Sequence, residues 1–302
     1  MKAGYQPLQS GGVELGFGTT VFDRLMSKRQ ALRLLDVAYE SGIRHFDTAR
    51  MYDHGRTESL LGAMARGKRA GMRIVSKAGI EPPGLVGRML RRAVPFIQAT
   101  SRLGEARFGR FSPSAVSISV NKSLRALGTD YLDALLLHEV TPTQMTDELA
   151  ALLLEMKRRG LVRQAGLATS ASHALAIMSE YGGLFEIVQI PAADLIGREL
   201  QTFHPVRIIL HSVLGPHLSN MFDQVDEDFA SRHGLVTTSP CIEAARRRLA
   251  ELLLRTAITR NPGGVVLFSS ANVDHIRLNS SLRGADETVV RDVERLMRRA
   301  TG

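Results

Sequence analysis

Residues 113–169 read PSAVSISVNKSLRALGTDYLDALLLHEVTPTQMTDELAALLLEMKRRGLVRQAGLAT, and this stretch decides the fold. Pro113–Leu127 is amphipathic, opens on the Ser112-Pro113 capping pair and stops at Gly128. The Leu-rich run Asp133–His138 then reads as a buried strand. A second helix, Asp147–Arg159, stops at Gly160, and a second strand, Val162–Thr169, follows. Helix and strand in strict alternation predict a parallel sheet with crossover helices.

Outward from this stretch the pattern repeats. Upstream lie strand runs Val13–Thr20, Ile43–Ala49 and Arg73–Ala78, and downstream Phe185–Pro191, Val206–His211 and Gly264–Ser269. Eight such strands close a (β/α)8 barrel, so the expected architecture is a single α/β TIM-barrel domain over residues 1–302. Further helices are expected at Lys28–Tyr39, ending at Ser41-Gly42, and at Glu58–Met64, ending near Gly67. Another is expected after Ser239-Pro240, and an extra C-terminal helix, Asp286–Arg299, should pack outside the barrel. Two connections, Gly79–Phe111 after strand 3 and Val213–Ser239 after strand 7, exceed ordinary βα loops and fall on the C-terminal face, where barrel enzymes keep their sites. Both are expected to act as lids. The first carries Arg88, Arg91, Arg92, Arg102, Arg107 and Arg110 among apolar residues, is expected to hold a helix, and hints at a polar or anionic substrate.

Composition excludes several classes. A content of 44% hydrophobic and 23% charged residues is that of a soluble globular protein, and no apolar run approaches the roughly 20 residues that span a bilayer. The N-terminal Met1–Gln6 lacks a signal-peptide core, which points to the cytoplasm. Cys241 stands alone, so neither an intramolecular disulfide nor a multi-thiolate metal centre is available. His45, His138, His204 and His211 show no paired ligand spacing, and no metal is expected. The net charge of +9 raises nucleic acid as a partner, but the arginines are spread over many helices (Arg158-Arg159, Arg246-Arg247-Arg248, Arg298-Arg299). No helix-turn-helix, zinc or RRM signature accompanies them, and 5% aromatics give little base-stacking surface. The expected partner is a small molecule, without nucleic acid or membrane; oligomeric state stays open.

Four polar side chains fall at the C-terminal ends of successive strands: Asp47 on the second, Tyr52 just beyond it, Lys77 closing the third and His138 closing the fourth. Singly, each also fits a cap, a surface residue or a turn. Adjacent strand ends converge, so together they form a proton-transfer site. Reducing a carbonyl by hydride needs a proton donor at the developing alkoxide. Tyr52 is expected to be that donor, with Lys77 bringing its pKa down, Asp47 holding the ammonium and His138 orienting the substrate oxygen.

These residues sit in motifs that resemble the aldo-keto reductase family across nearly the whole chain. Gly16-Phe17-Gly18-Thr19 resembles the family's first-strand Gly-x-Gly-Thr turn. Gly42-Ile43-Arg44-His45-Phe46-Asp47-Thr48-Ala49 followed by Tyr52 resembles its Gly-x-x-x-x-Asp-Thr-Ala signature, and Ser76-Lys77 and Leu137-His138 match the remaining tetrad positions. The resemblance implies Tyr52 as general acid/base, Asp47 and Lys77 as its tuners and His138 as the substrate-positioning group. It implies a nicotinamide dinucleotide, NADP(H) preferred and NAD(H) possible, held by Gly18, Thr19, Thr20, Asp47, Thr169, Gln189, His211, Ser212, Leu214, Ser269, Ser270, His275 and Asn279. Where the family has Gly-x-Ser-Asn, this chain has Gly166-Leu167-Ala168-Thr169, and His211 stands where relatives stack a tyrosine. Aligned on Asn279, the family's lysine and arginine for the 2′-phosphate become Ser269 and His275, with Arg277 as a candidate substitute. The helix start after strand 8 is an expected phosphate site. The implied activity is reduction of an aldehyde or ketone, or oxidation of the alcohol. The alternative is a dinucleotide-binding regulatory or redox-sensing barrel with little catalysis.

Overall fold

All eight apolar runs form strands, β1 (Glu14–Gly18), β2 (His45–Asp47), β3 (Arg73–Ala78), β4 (Leu132–His138), β5 (Val162–Ala168), β6 (Ile187–Pro191), β7 (Arg207–His211) and β8 (Val265–Phe268), in a computed structural model that describes residues 13–22, 26–82, 109–195, 203, 205–214, 217–237 and 240–301. Each strand pairs in parallel with its chain neighbour, and β1 pairs with β8 to close the barrel. The shortest, β2, covers only the middle of the predicted Ile43–Ala49. Its flanks still bond to β3, through Arg73 N–H to Arg44 O (2.8 Å) and Thr48 N–H to Val75 O (2.9 Å), so the ladder outlasts the strand.

The two-residue period of the pleat sorts these strands into two cores. Val75, Ala134, Leu136, Ala168, Ile187, Ile209, Val265 and Leu267 point inward and fill the barrel. At the alternate strand positions, Phe17, Phe46, Ile74, Leu135, Leu167, Val188, Leu210 and Val266 point outward into the larger core beneath the helices. A fully buried side chain of this kind contributes about 1.5–3 kcal/mol relative to exposure, so the outer core carries most of the stabilisation. Where the interior is tightest the sequence has glycine: a Cβ at Gly166 would lie 2.5 Å from Ile187 O and 2.6 Å from Leu136 Cδ2.

Helices cover the outside in the expected order: α1 (Lys28–Glu40), α2 (Arg56–Ala65), α3 (Pro113–Leu127), α4 (Asp147–Arg158) and α5 (Ala171–Tyr181) follow β1 to β5 in turn. Ser27 and Gln30 form a reciprocal capping box that starts α1. Gly128, at φ 63°, ends α3 as its sequence position predicts. The connection after β7, expected to act as a lid, has helical structure of its own. It holds two short helices, α6 (His217–Asp223) and α7 (Glu227–His233), before the long α8 (Ile242–Arg260). After β8 come α9 (Val273–Ser280) and α10 (Glu287–Thr301), the extra C-terminal helix. The latter packs Val290, Val293 and Leu296 inward and is tied to α8 through Arg260, which donates to Glu287 and Glu294. Most of the Gly79–Phe111 connection, with the arginines Arg88 to Arg107, lies outside the described residues, as do His204 and Ser239. No helix among the described residues is long and apolar enough to cross a membrane.

Candidate active site

Above the inner apolar layer the same pleat turns Asp47, Lys77, Gln189 and His211 inward at the C-terminal mouth of the barrel. There they line a cleft of about 240 Å³ with Tyr52 and His138. Asp47 and Lys77 are 3% exposed each, and no charge buried to that degree persists without a partner. Lys77 Nζ donates to Asp47 Oδ1 (2.5 Å) and to Thr48 O (3.0 Å), and reaches Tyr52 Oη at 3.4 Å. The other Asp47 oxygen accepts from Gln189 Nε2 at 3.1 Å. One carboxylate thus fixes both the ammonium and the amide.

The electrostatics correct one expectation. Burial is the largest influence on Tyr52 and raises its pKa; Lys77 opposes that rise without cancelling it, while Asp47 adds to it. The expected net lowering by Lys77 does not occur, because the phenol's desolvation outweighs an ammonium that Asp47 already half-neutralises. Tyr52 therefore holds its proton at neutral pH. For Lys77, burial acts to lower the pKa, but Asp47 and Tyr52 overcome it and the ammonium stays charged. His138 is pushed down to about 3, first by burial and then by Lys77 and His211, so it is a neutral imidazole. Its ring meets Tyr52 edge-on at 6.2 Å between centroids.

The cleft also gathers Gly18, Thr20, Ser212, Leu214 and Ser269 from the cofactor set. Thr19, Thr169, Ser270, His275 and Asn279 do not line it. Thr169 is buried, with Oγ1 3.5 Å from His173 Nδ1, and Ala168 faces the cleft in its place. At the start of α9, Asn272 Oδ1 accepts from the Asp274 and His275 amides (2.8 and 3.3 Å). The expected phosphate-binding amides are therefore capped by their own chain. Arg277 lies 3.5 Å from Asp274, both exposed, which turns it toward its own helix. Against this stands one orphan in the cleft: Gln189 Oε1 is buried and has no hydrogen-bond partner among the described residues. A free carbonyl oxygen beside a fixed amide nitrogen is what a nicotinamide carboxamide N–H requires, so the nicotinamide end of the site fits the dinucleotide better than the phosphate end.

Sequence reasoning missed Glu139, Val213, Leu267 and Phe268, which also line the cleft. Glu139 and Ser212 take left-handed backbone (φ 58° and 56°) directly after strand ends. Their positions after His138 and His211 were the available signal.

Comparison with known proteins follows the same lines. The model of the "Aldo/keto reductase family" matches residues 14–193. The Bacillus subtilis oxidoreductase YqkF is 23% identical over 296 residues, covering 89% of this chain and 87% of its own length. Among solved structures, the holo form of aldo-keto reductase AKR11C1 from Bacillus halodurans superposes with a TM-score of 0.70 at 19% identity, covering 94% of this chain and 91% of that one. A Klebsiella pneumoniae aldo/keto reductase in complex with NADP and acetate gives a TM-score of 0.63 at 18% identity, covering 95% and 91%.

Proposed function

The chain belongs to the aldo/keto reductase family, and from that premise we propose that its barrel mouth reduces an aldehyde or ketone, or oxidises the corresponding alcohol, with a nicotinamide dinucleotide. The observation that carries this reading is the Asp47–Lys77–Tyr52 chain opening onto a cleft where Gln189 Oε1 has no partner among the described residues. When bound, reduced nicotinamide supplies the hydride. Gln189 accepts from its carboxamide, and the Asp47 bond to Nε2 keeps that amide from turning over. His211 lies beside Ser212 Oγ (2.9 Å) at the end of β7, where its imidazole offers a stacking face.

The proton steps belong to the chain's own residues. Tyr52, protonated through neutral pH, gives its phenol proton to the substrate oxygen as negative charge gathers there. Lys77 Nζ stabilises the phenolate that remains, at 3.4 Å, and Asp47 keeps the ammonium in place. His138, neutral, donates a ring N–H to the same substrate oxygen and sets its direction. In the alcohol direction Tyr52 serves as the base and the steps reverse.

NADP(H) is the preferred nucleotide, supported by the NADP-bound Klebsiella structure, with NAD(H) as the alternative. Ser269 and His275 replace cationic groups, so the preference is expected to be modest. Titrating the protein separately with NADPH and NADH tests the reading, following quenching of its five tyrosines in a chain without tryptophan. Saturable binding with NADPH the tighter is the expected result, and binding of neither would contradict it. Binding without turnover on any aldehyde, ketone or alcohol would favour the regulatory barrel.

A further inference from the structure

Tyr52 is the one member of the tetrad that no strand carries. It sits on the connection between β2 and α2, and such a connection drifts unless something holds it. Two threonines hold its ends: Thr48 Oγ1 lies 3.2 Å from Thr57 Oγ1, which donates to Tyr52 O at 3.3 Å. Beyond Tyr52 the backbone passes through three consecutive left-handed residues, Asp53 (φ 39°), His54 (φ 56°) and Gly55 (φ 82°). Such a run is disfavoured for L-residues and persists only when surrounding structure imposes it. The turn wraps the Arg50 guanidinium so closely that a Cβ at Gly55 would lie 2.0 Å from Arg50 Nη1.

Arg50 in turn meets a buried carboxylate. Its Nη1 donates to Glu58 Oε2 at 3.0 Å, and the other oxygen of Glu58 accepts from Ser76 Oγ at 2.8 Å. Glu58 and Ser76 are fully buried. Ser76 is the residue before Lys77 on β3, so the two oxygens of one carboxylate join the Lys77 strand to the Tyr52 connection. A buried ion pair gives little net stability over a well-packed apolar pair, and registry is its best-attested use. The geometry points to Arg50, Glu58 and Ser76 as a positioning device that sets the separation between Tyr52 Oη and Lys77 Nζ. The inference rests on the reading of Tyr52 as the proton donor, since only then does that separation govern turnover.

Removing one partner alone would strand a buried charge and endanger folding, so the test replaces both, Arg50→Met with Glu58→Met, with Arg50→Lys as the conservative companion. In the double variant kcat should fall about 10–100-fold, as expected for a small misplacement of a catalytic group. KM and NADPH affinity should stay within about threefold. Tyr52 ionisation, read as tyrosinate absorbance against the same protein carrying Tyr52→Phe, should move to higher pH as Lys77 loses its hold. Arg50→Lys should recover part of both effects. Unchanged kcat with unchanged Tyr52 ionisation in a folded double variant would overturn the inference. The ionisation readout needs no substrate. If wild-type protein turned over no carbonyl, the shift in ionisation alone would still support the device, and the failure would lie with the proposed function.

Discussion

At the N-terminal end of the barrel, Glu14 accepts from both Arg73 and Arg207, and Arg207 Nε also donates to Gly263 O at 3.2 Å. At the C-terminal end, Asp47 accepts from both Lys77 and Gln189. Both ends thus place one inward carboxylate between two donors, on the same pleat. They differ in what surrounds the carboxylate. The lower cluster closes the barrel with ion pairs alone. The upper one adds a phenol that can carry a proton, leaves Gln189 Oε1 without a partner among the described residues and opens onto a cleft. The four non-glycine residues with left-handed backbone among those described, Asp53, His54, Glu139 and Ser212, all follow the C-terminal ends of strands. A functional end of a barrel is marked less by the kinds of residue it holds than by unfinished hydrogen bonding and tolerated strain.

This contrast can be broken by substitution. Lys77→Met should have a large effect, lowering kcat about 10³-fold while NADPH affinity changes only a few-fold, because the phenolate loses its stabilising charge. Glu14→Leu should act on the other quantity. It leaves two guanidinium groups without their shared carboxylate and should cost about 3 kcal/mol of stability, several degrees in a thermal melt, with kcat per folded molecule unchanged. If Glu14→Leu lowered kcat as much as Lys77→Met, the two ends would not be functionally distinct.

Acid sharpens the comparison further. His45, fully buried among the inward residues of the barrel, and His138 at the mouth are both held near a pKa of about 3, in each case first by burial, against 6.5 in the unfolded chain. Between those values the unfolded state binds the extra protons. Stability is therefore full above pH 6.5 and falls as pH drops toward 3, by about 1.4 kcal/mol per pH unit for each histidine. His45→Met should halve that slope and leave the pH dependence of turnover untouched. Denaturant melts between pH 6.5 and 4.5 measure it. Tyr52 works in the opposite sense: its raised pKa keeps the proton in place as pH rises, so carbonyl reduction should stay flat through neutral pH and fall only in strong alkali. The smallest expected effect is at the phosphate end, where His275→Lys should tighten NADPH, and not NADH, by a few-fold.

Much of the fold and part of the site are legible in the sequence. The strand count came from apolar runs, and Asp47, Lys77, His138, Gln189 and His211 stood at strand ends where the pleat turns them inward. Asp226 before Glu227 and Gly234 after His233 carried the caps of α7, a helix inside a connection read only as a lid. The direction of the Tyr52 shift was not legible, because it is a balance between burial and one neighbour's charge that appears only when the chain is folded. Nor was the self-capping of α9 by Asn272, where the same residue type serves a ligand loop or a helix start depending on one side-chain rotation. The Arg50–Glu58–Ser76 link escaped for another reason: its members are separated in sequence and none belongs to the tetrad.

Tyr52→Phe is the sharpest test of the proposal that Tyr52 carries the proton at an otherwise static constellation. The substitution removes one oxygen and keeps the ring. The expected outcome is a kcat lower by about 10²–10⁴-fold with NADPH bound within about threefold of wild type. Wild-type turnover in Tyr52→Phe would contradict it.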